Sequence, residues 1–292
     1  MKELFHVKHP PFHVSLTPDA ALSIEPTLSL VDACSPFQHI AIEQSATFGR
    51  LYRLDGDLMA SEADEFIIHE SLAHIPALAH PAPRSALILG GGDGATAREL
   101  LKHPSLERIV VAELDAAVVR LVGQFIPALP ALAFASPRVH LQIGDAAASL
   151  HQHHARGECF DLILFDLTAS DDPACAHLHH EEFMRLCAAS LNPGGIIHVQ
   201  LGSPFYQPTQ TAALWQRMRG VFADLRPTLI SVPSYGGPWL LARAAINTMT
   251  DPAPATLNAR LSERSISGLR HYNPDLHHAC QTLPNHLRHL LA

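Results

Sequence analysis

Four acidic residues close four successive apolar segments, an arrangement that could bind a positively charged ligand. Residues 86–94 read ALILGGGDG, so an apolar strand breaks into glycines around Asp93. Further along, Glu113 lies in RIVVAELD, Asp145 ends RVHLQIGD, and Asp166 ends FDLILFD. In open α/β sheets, ligands bind outside the carboxyl ends of the strands. We therefore expect the four carboxylates to line one site.

The glycine-rich turn indicates which kind of ligand this site could bind. Glycines let the backbone turn sharply and approach a ligand closely. Asp93 disfavours a pyrophosphate, which prefers bare amides at a helix N-terminus. A nucleoside carrying a cation fits better, and the sulfonium of an S-adenosyl compound is such a cation. The sequence thus predicts that Gly90, Gly92 and Asp93 bind this donor, with Glu113 on its ribose hydroxyls.

The elements that must position these residues follow from the hydrophobic pattern. Strands and helices alternate from residue 63 to about residue 246, starting with a predicted amphipathic helix in DEFIIHESLAHIPALAHP. This alternation is typical of an α/β domain whose mainly parallel sheet is covered on both faces. Short alternating segments such as HIAIEQS predict a small antiparallel β domain over residues 1–62. Residues 63–292 form the second predicted domain. Within it, DPAPAT at residues 251–256 is expected to be a surface loop. The C-terminal tail is expected to be a turn followed by a short helix.

Composition excludes several classes of partner. The chain has 28 acidic and 20 basic residues, a formal net charge of −8, which disfavours nucleic acid and anionic membranes and favours cationic substrates. The absence of a long apolar stretch and of a signal-peptide core predicts a cytoplasmic protein. The five cysteines are odd in number and lack paired metal-ligand spacing, so we expect reduced thiols. The histidine clusters also lack an established zinc spacing, and no metal is expected.

Several motifs occur together in a recognisable order. They are TFGRLYRLDG, SEADEF with IHE, the segment from HPAPRSALILGGGDG to ERIVVAELD, and HYNPDLHHACQTLPNHL. The chain, over about residues 37–290, resembles the polyamine aminopropyltransferase family, which includes the spermidine synthases. The resemblance implies a β domain, a Rossmann-like S-adenosyl-dependent transferase domain and a homodimer or homotetramer. It also implies decarboxylated S-adenosylmethionine as co-substrate, with no other cofactor, and a small cationic amine as the partner substrate.

The resemblance also implies roles for single residues. Asp166 occupies the position of the general base. On the donor side, Asp93 would hold the aminopropyl ammonium, Glu113 the ribose hydroxyls, and Asp145 the adenine amino group with help from Gln38. Asp145 alone could equally be a helix N-cap, and the two roles can coexist.

The implied acceptor site consists of His69, Asp93, Asp166 and Tyr235. Tyr235, in VPSYGG, matches a tyrosine that borders the amine site, although it could simply pack at a strand end. His69 and His277 match positions that border the cleft or hold its lid. A hydrogen-bonded structural histidine is the alternative for both.

The chemistry of aminopropyl transfer requires few groups. A primary amine attacks the carbon next to the sulfonium, and methylthioadenosine leaves. The amine arrives protonated, because its pKa is about 10, and therefore needs a proton acceptor. Carboxylates can align two cationic substrates and accept that proton.

Three departures from the family pattern affect the expected acceptor site. The second acid after the catalytic strand is replaced by Ala169, the glutamine of LDGxxQ by Met59, and the tyrosine of DEFxYHE by Ile68. We therefore expect the acceptor to be a different, longer or less polar amine than putrescine, unless the acids at positions 171–172 substitute.

Two other functions remain open at this point. The first is a methyltransferase that uses S-adenosylmethionine on the same sheet, and the second is a noncatalytic nucleoside or polyamine binder. Asp93 argues against the methyltransferase, because its charge would repel the carboxylate of intact S-adenosylmethionine. Asp166 argues against the noncatalytic binder.

Overall fold

A computed structural model describes residues 10–167 and 175–292 of the chain. The predictions made for Ala169, Asp171 and Asp172 lie outside the described residues. Within the described ranges, no helix combines the length and apolar character that crossing a bilayer requires.

The N-terminal part is antiparallel, as predicted. It contains β1 (Phe12–Thr17), β2 (Ala20–Ile24), β3 (Pro26–Cys34), β4 (His39–Ser45), β5 (Gly49–Leu54) and β6 (Asp57–Ser61). β1 and β2 form a hairpin, and β3 to β6 form a four-stranded sheet in chain order. Asp55 and Gly56 both have positive φ, 51° and 99°, which matches the type I′ turn favoured between antiparallel strands.

The rest of the chain forms a seven-stranded sheet flanked by helices. Its strands are β7 (Ser85–Gly90), β8 (Arg108–Glu113), β9 (Val139–Ile143), β10 (Phe160–Asp166), β11 (Leu191–Gly202), β12 (Asp224–Val232) and β13 (Gly237–Ala245). The helices are α1 (Glu65–Ala79), α2 (Ala95–Leu101), α3 (Ala116–Phe125), α4 (Ala146–Ala155), α5 (Glu181–Ala189), α6 (Pro208–Arg219), α7 (Pro254–Glu263), α8 (Pro274–Ala279) and α9 (Asn285–Leu291).

The order of the strands fixes where a ligand can bind. The sheet runs β12-β13-β11-β10-β7-β8-β9; the pairs from β11 to β9 are parallel, and β13 is antiparallel to both β11 and β12. From β7 the chain proceeds outward through β8 and β9 and then returns to the other side of β7 as β10. The strand order therefore reverses between β7 and β10, whose last residues, Gly90 and Asp166, are register partners. Such a switch point is where doubly wound sheets bind ligands.

Helix α1 differs from the amphipathic helix that the sequence predicts. Thirteen of its residues are buried, because it contacts the sheet, α2 and α7 at once. The buried carboxylate of Glu70 on this helix is satisfied by hydrogen bonds. It accepts three backbone N–H groups, from Arg270, His271 and Tyr272, each at 2.8 Å. Burial on all sides weakens the helical periodicity from which amphipathicity is predicted.

The C-terminal part is more ordered than the sequence suggests. Segment 251–256 is not a surface loop throughout, because α7 begins at Pro254 and the Asp251 side chain, 12% exposed, forms ion pairs with Arg226 and Arg243. The tail contains two short helices, α8 and α9, rather than one.

One hydrophobic cluster joins the N-terminal sheet to α3. Val31, Ile40, Ile42 and Tyr52 pack with residues of α3, among them Val122. This contact holds β4 and β5 beside the carboxyl ends of the parallel strands, so that side chains from β5 can reach them.

Candidate active site

A cavity of about 550 Å³ lies at the switch point between β7 and β10. The structure brings nine sequence-predicted site residues to its lining: Gln38, His69, Gly90, Gly92, Asp93, Glu113, Asp145, Asp166 and Tyr235. Leu167 and Cys175, on either side of segment 168–174, line it as well.

The glycines are required because two strand ends touch here. Gly90 has φ 79°, and a Cβ on it would lie 2.2 Å from the carbonyl oxygen of Asp166. A Cβ on Gly92 would lie 2.6 Å from the carboxylate of Glu113. The N–H of Gly91 donates to the Asp166 carbonyl at 3.0 Å. A side chain at position 90 would displace the end of β10, and one at position 92 would displace the carboxylate of Glu113.

Asp93 is buried and held by donors on both of its oxygens. It is 4% exposed. The N–H of Ala95 donates to Oδ1 at 2.9 Å, and the hydroxyl of Tyr52 donates to Oδ2 at 3.0 Å. Nε2 of His69 lies 3.6 Å from the same Oδ2. The carboxylate is thus fixed in one orientation at the cavity wall.

His69 connects this carboxylate to a buried ion-pair chain. Its Nδ1 lies 2.7 Å from Glu65, and the guanidinium of Arg98 contacts both oxygens of Glu65 at 2.9 and 3.0 Å. Burial by itself lowers the pKa of the imidazole, but the charges of Asp93 and Glu65 outweigh burial and raise the pKa of His69 to about 9. His69 is therefore an imidazolium at neutral pH.

Asp166 has the properties of a proton acceptor. Its Oδ2 accepts the hydroxyl of Thr96 at 2.7 Å, and its Oδ1 lies 3.3 Å from the amide nitrogen of Gln200. Burial raises the pKa of Asp166 to about 6; the charge of His69 and the Thr96 hydrogen bond oppose this rise, and Asp93 adds to it. A carboxylate with a raised pKa is a stronger base than an exposed one and is still ionised at neutral pH.

Glu113 projects from the end of β8 beside the glycine turn. It accepts the N–H groups of Gly92 at 3.0 Å and Asp115 at 2.8 Å, and burial raises its pKa to about 7. Gln38 also lines the cavity, and its side-chain amide donates to Asp115 at 3.0 Å. These contacts place a carboxylate and an amide on the side of the cavity that faces β8.

Asp145 combines two predicted features. It is the N-cap of α4, accepting the N–H of Ala148 at 2.7 Å, and it lines the cavity. Its second oxygen lies 3.0 Å from Nε2 of His177, and the side chain is 43% exposed. The capping role and a position at the cavity rim therefore coexist.

Tyr235 lines the cavity and is held there by two contacts. Its hydroxyl donates to the backbone carbonyl of Met59 at 2.5 Å, and its ring packs against Trp239 with centroids 4.8 Å apart. The preceding Ser234 is anchored by Asp64, which accepts both its N–H and its hydroxyl at 2.8 and 2.9 Å. Because its one hydrogen is used, the phenol oxygen can only accept from a ligand, which suits an ammonium.

Two sequence-based expectations about this site are wrong. Ile68 does not border the cavity; it is 1% exposed and packs in the core with Ile88 and Leu164. His277 does not border the cavity either: it is fully buried and bonded to the hydroxyl of Tyr272 at 2.8 Å. His277 is the structural histidine that the sequence left as the alternative. Met59, by contrast, does line the cavity.

Sequence analysis missed three side chains that contact the carboxylates, of which Gln200 and Tyr52 line the cavity. Gln200 lies near the end of β11, so the strand-end argument that located Asp166 could have found it. Thr96 follows the glycine turn by two residues and lies in the first turn of α2. Nothing in the local pattern marks Tyr52, which reaches Asp93 only because the N-terminal sheet packs on α3.

The same cluster could be mistaken for a metal site. Among the described residues, His69, Asp93 and Asp166 offer ligand atoms within 4.8 Å of one another. A metal ion would have to displace a proton from His69, whose pKa is about 9, and this competition weakens metal binding at neutral pH. The arrangement of two carboxylates and one imidazolium is better suited to binding an ammonium group.

Comparison with known proteins agrees with this chemistry. Residues 65–250 match the family described as spermine/spermidine synthase domain. The chain is 40% identical to a polyamine aminopropyltransferase of Nitrosomonas europaea over 95% of this chain and 84% of that protein. It is 38% identical to polyamine aminopropyltransferase 1 of Pseudomonas aeruginosa over 86% of each chain.

Solved structures show the same fold. A spermidine synthase in complex with the transition-state analogue AdoDATO superposes with a TM-score of 0.90 at 29% identity, covering 100% of this chain and 98% of that one. The spermidine synthase of Thermotoga maritima superposes with a TM-score of 0.86 at 28% identity, covering 100% and 97%.

Proposed function

The chain belongs to the spermine/spermidine synthase family, and from this premise we propose how its cavity performs the reaction. The protein is an enzyme that transfers an aminopropyl group from its co-substrate, decarboxylated S-adenosylmethionine, to a small amine and releases methylthioadenosine. The observation that carries the assignment of roles is the pair of carboxylates, buried Asp93 and half-buried Asp166, that line one cavity at the switch point.

The donor is proposed to lie along the β7 to β8 side of the cavity. Asp93 binds its aminopropyl ammonium, and Glu113 accepts its ribose hydroxyls. Gly90 and Gly92 allow the backbone to approach the nucleoside. At the rim, Asp145 and Gln38 bind the adenine. A ribose hydroxyl would donate a hydrogen bond to Glu113 in place of water. This carboxylate is already largely shielded from solvent, and its burial raises its pKa to about 7.

The acceptor amine is proposed to enter from the β10 side. Asp166 takes the proton from its nucleophilic nitrogen, which then attacks the carbon next to the sulfonium. Tyr235 accepts a hydrogen bond from the amine, and His69 together with Asp93 completes the wall. Because the sulfonium is already a good leaving group, alignment and removal of one proton are sufficient catalysis.

The competing functions are disfavoured by particular observations. A methyltransferase would have to accommodate the carboxylate of S-adenosylmethionine near Asp93, which is 4% exposed and only weakly screened by water. A noncatalytic binder would have no need for a cavity carboxylate, Asp166, whose pKa, about 6, suits a base. The test is chromatographic: methylthioadenosine should form from decarboxylated S-adenosylmethionine only when an amine is added.

The rate should depend on pH through Asp166. Only the ionised carboxylate can accept a proton, so kcat/KM is expected to fall about tenfold for each pH unit below the pKa of Asp166, which is about 6. Thr96→Val removes a hydrogen bond that favours the charged form and should move this acidic limb to higher pH by up to about one unit.

The matched control is Thr211→Val, which deletes another fully buried hydroxyl, one bonded to the backbone of Leu201 instead of to Asp166. Its acidic limb should stay in place. An acidic limb that Thr96→Val leaves unmoved would contradict the assignment of this limb to Asp166.

A substitution at position 169 tests which amine is the acceptor. If Ala169 leaves putrescine without a partner for its distal ammonium, putrescine should be a poor acceptor, and Ala169→Asp should lower its KM about tenfold. Ser170→Asp adds the same charge one position along and is the control for charge alone. Steady-state kinetics with putrescine, cadaverine and spermidine measure the effect. A wild-type enzyme that uses putrescine efficiently and is indifferent to Ala169→Asp would show that this departure is neutral.

Wider features of the protein are proposed as well. Residues 1–62 form the β domain and residues 63–292 the catalytic domain, which agrees with β6 ending at Ser61 and the family match beginning at residue 65. The enzyme is proposed to be a cytoplasmic homodimer or homotetramer that binds neither nucleic acid nor membrane. The odd number of cysteines, five, suits a reducing compartment, and light scattering would measure the oligomer.

A further inference from the structure

Tyr52 is a buried phenol of the N-terminal sheet that reaches the catalytic cavity. Its ring packs with Ile40, Ile42 and residues of α3, and the residue is 6% exposed. Its hydroxyl lies in the cavity lining and donates to Oδ2 of Asp93 at 3.0 Å. The ring therefore belongs to the core, whereas the hydroxyl belongs to the site.

The hydroxyl is not needed for packing. A phenylalanine would fill the same apolar surroundings without bringing a polar group that must be satisfied after burial. The hydrogen bond that satisfies this hydroxyl is the one to Asp93. Tyr235, a second phenol in the cavity lining, donates instead to the backbone of Met59. The presence of the hydroxyl is explained by the carboxylate.

This phenol also lies on a different element from the one that the family pattern predicts. The tyrosine of DEFxYHE on α1 is replaced by Ile68, which packs in the core away from the cavity. Tyr52, on β5, brings a phenol to Asp93 instead.

We propose that Tyr52 is a positioning residue for Asp93 and that it sets the preference of the donor site for a ligand carrying an ammonium. This inference rests on the proposed function, because it requires Asp93 to bind that ammonium. Oδ1 of Asp93 is held by the N–H of Ala95, and the phenol fixes Oδ2 in the plane that faces the cavity. Burial, followed by the charge of Asp93, raises the pKa of Tyr52 well above its ordinary value, so the hydroxyl remains a donor at every working pH.

The test compares two ligands that differ in the group Asp93 recognises. Decarboxylated S-adenosylmethionine carries the aminopropyl ammonium, and methylthioadenosine keeps the nucleoside without it. In Tyr52→Phe, calorimetric titration should show the Kd of the decarboxylated donor rising about tenfold and the Kd of methylthioadenosine changing less than about twofold. In steady-state kinetics the donor KM should rise, whereas kcat should change little.

Tyr235→Phe is the matched control, because it removes a second phenol hydroxyl of the cavity, one bonded to the backbone of Met59 instead of to Asp93. It should raise the acceptor KM and leave the ratio of the two nucleoside affinities as in the wild type. Melting curves of both variants report whether the fold is retained.

Each outcome decides between the inference and its alternatives. A Tyr52→Phe enzyme that loses affinity for both nucleosides equally, or that does not fold, would assign the hydroxyl to structure and overturn the proposal. A variant that discriminates as well as the wild type would overturn it too, leaving the proposed function intact. A wild type that does not prefer the decarboxylated donor would refute the role of Asp93 itself, and the role of Tyr52 with it.

Discussion

Asp166→Asn is expected to lower kcat by roughly two to four powers of ten while the affinity for the donor stays nearly unchanged. The substitution keeps the shape of the side chain and removes its basicity. Because Asp166 ends β10 in contact with Gly91 and Thr96, an asparagine can occupy the same place with little rearrangement. Single-turnover kinetics with preformed enzyme–donor complex would isolate the proton-transfer step from binding.

A second buried acid of the same strand provides the control. Asp161 accepts the N–H groups of Arg84 and Ser85 at 2.7 and 3.0 Å and does not line the cavity. Asp161→Asn should lower the melting temperature and leave kcat within about threefold of the wild type, because it weakens structural hydrogen bonds only. Near-normal turnover in Asp166→Asn would shift the role of base to the acids at positions 171–172.

The donor site is expected to bind decarboxylated S-adenosylmethionine at least about ten times more tightly than S-adenosylmethionine, a difference of about 1.4 kcal/mol. Two like charges about 4 Å apart repel by about 4 kcal/mol at the effective dielectric constant of a protein surface, and only part of this cost can be relieved by rearrangement. Asp93→Asn should reduce the preference toward unity and leave methylthioadenosine affinity unchanged. Calorimetry with the three ligands measures the preference directly; equal affinities in the wild type would contradict the role assigned to Asp93.

The residues at the strand ends could be predicted because their position follows from local pattern. Asp93, Glu113 and Asp166 each follow an apolar run, and a parallel sheet brings the carboxyl ends of its strands to one edge. The Asp55–Gly56 dipeptide is a local signal of the same kind, because Asp-Gly favours the two positive φ values of a type I′ turn.

Features that depend on distant contacts could not be predicted. The burial of α1 on all sides results from α7, which lies far along the chain. Ile68 and His277 occupy positions that the family pattern associates with the cleft, yet their surroundings make both part of the core. Tyr52 reaches Asp93 across 41 residues of sequence, and no local signal marks that contact.

The central claim is that this cavity catalyses aminopropyl transfer. The most direct measurement is mass spectrometry of the products formed when the enzyme is incubated with a panel of amines and either decarboxylated S-adenosylmethionine or S-adenosylmethionine. We predict an amine extended by one aminopropyl group together with methylthioadenosine, formed only from the decarboxylated donor. A methylated product formed from S-adenosylmethionine, or no product from either donor, would contradict the account.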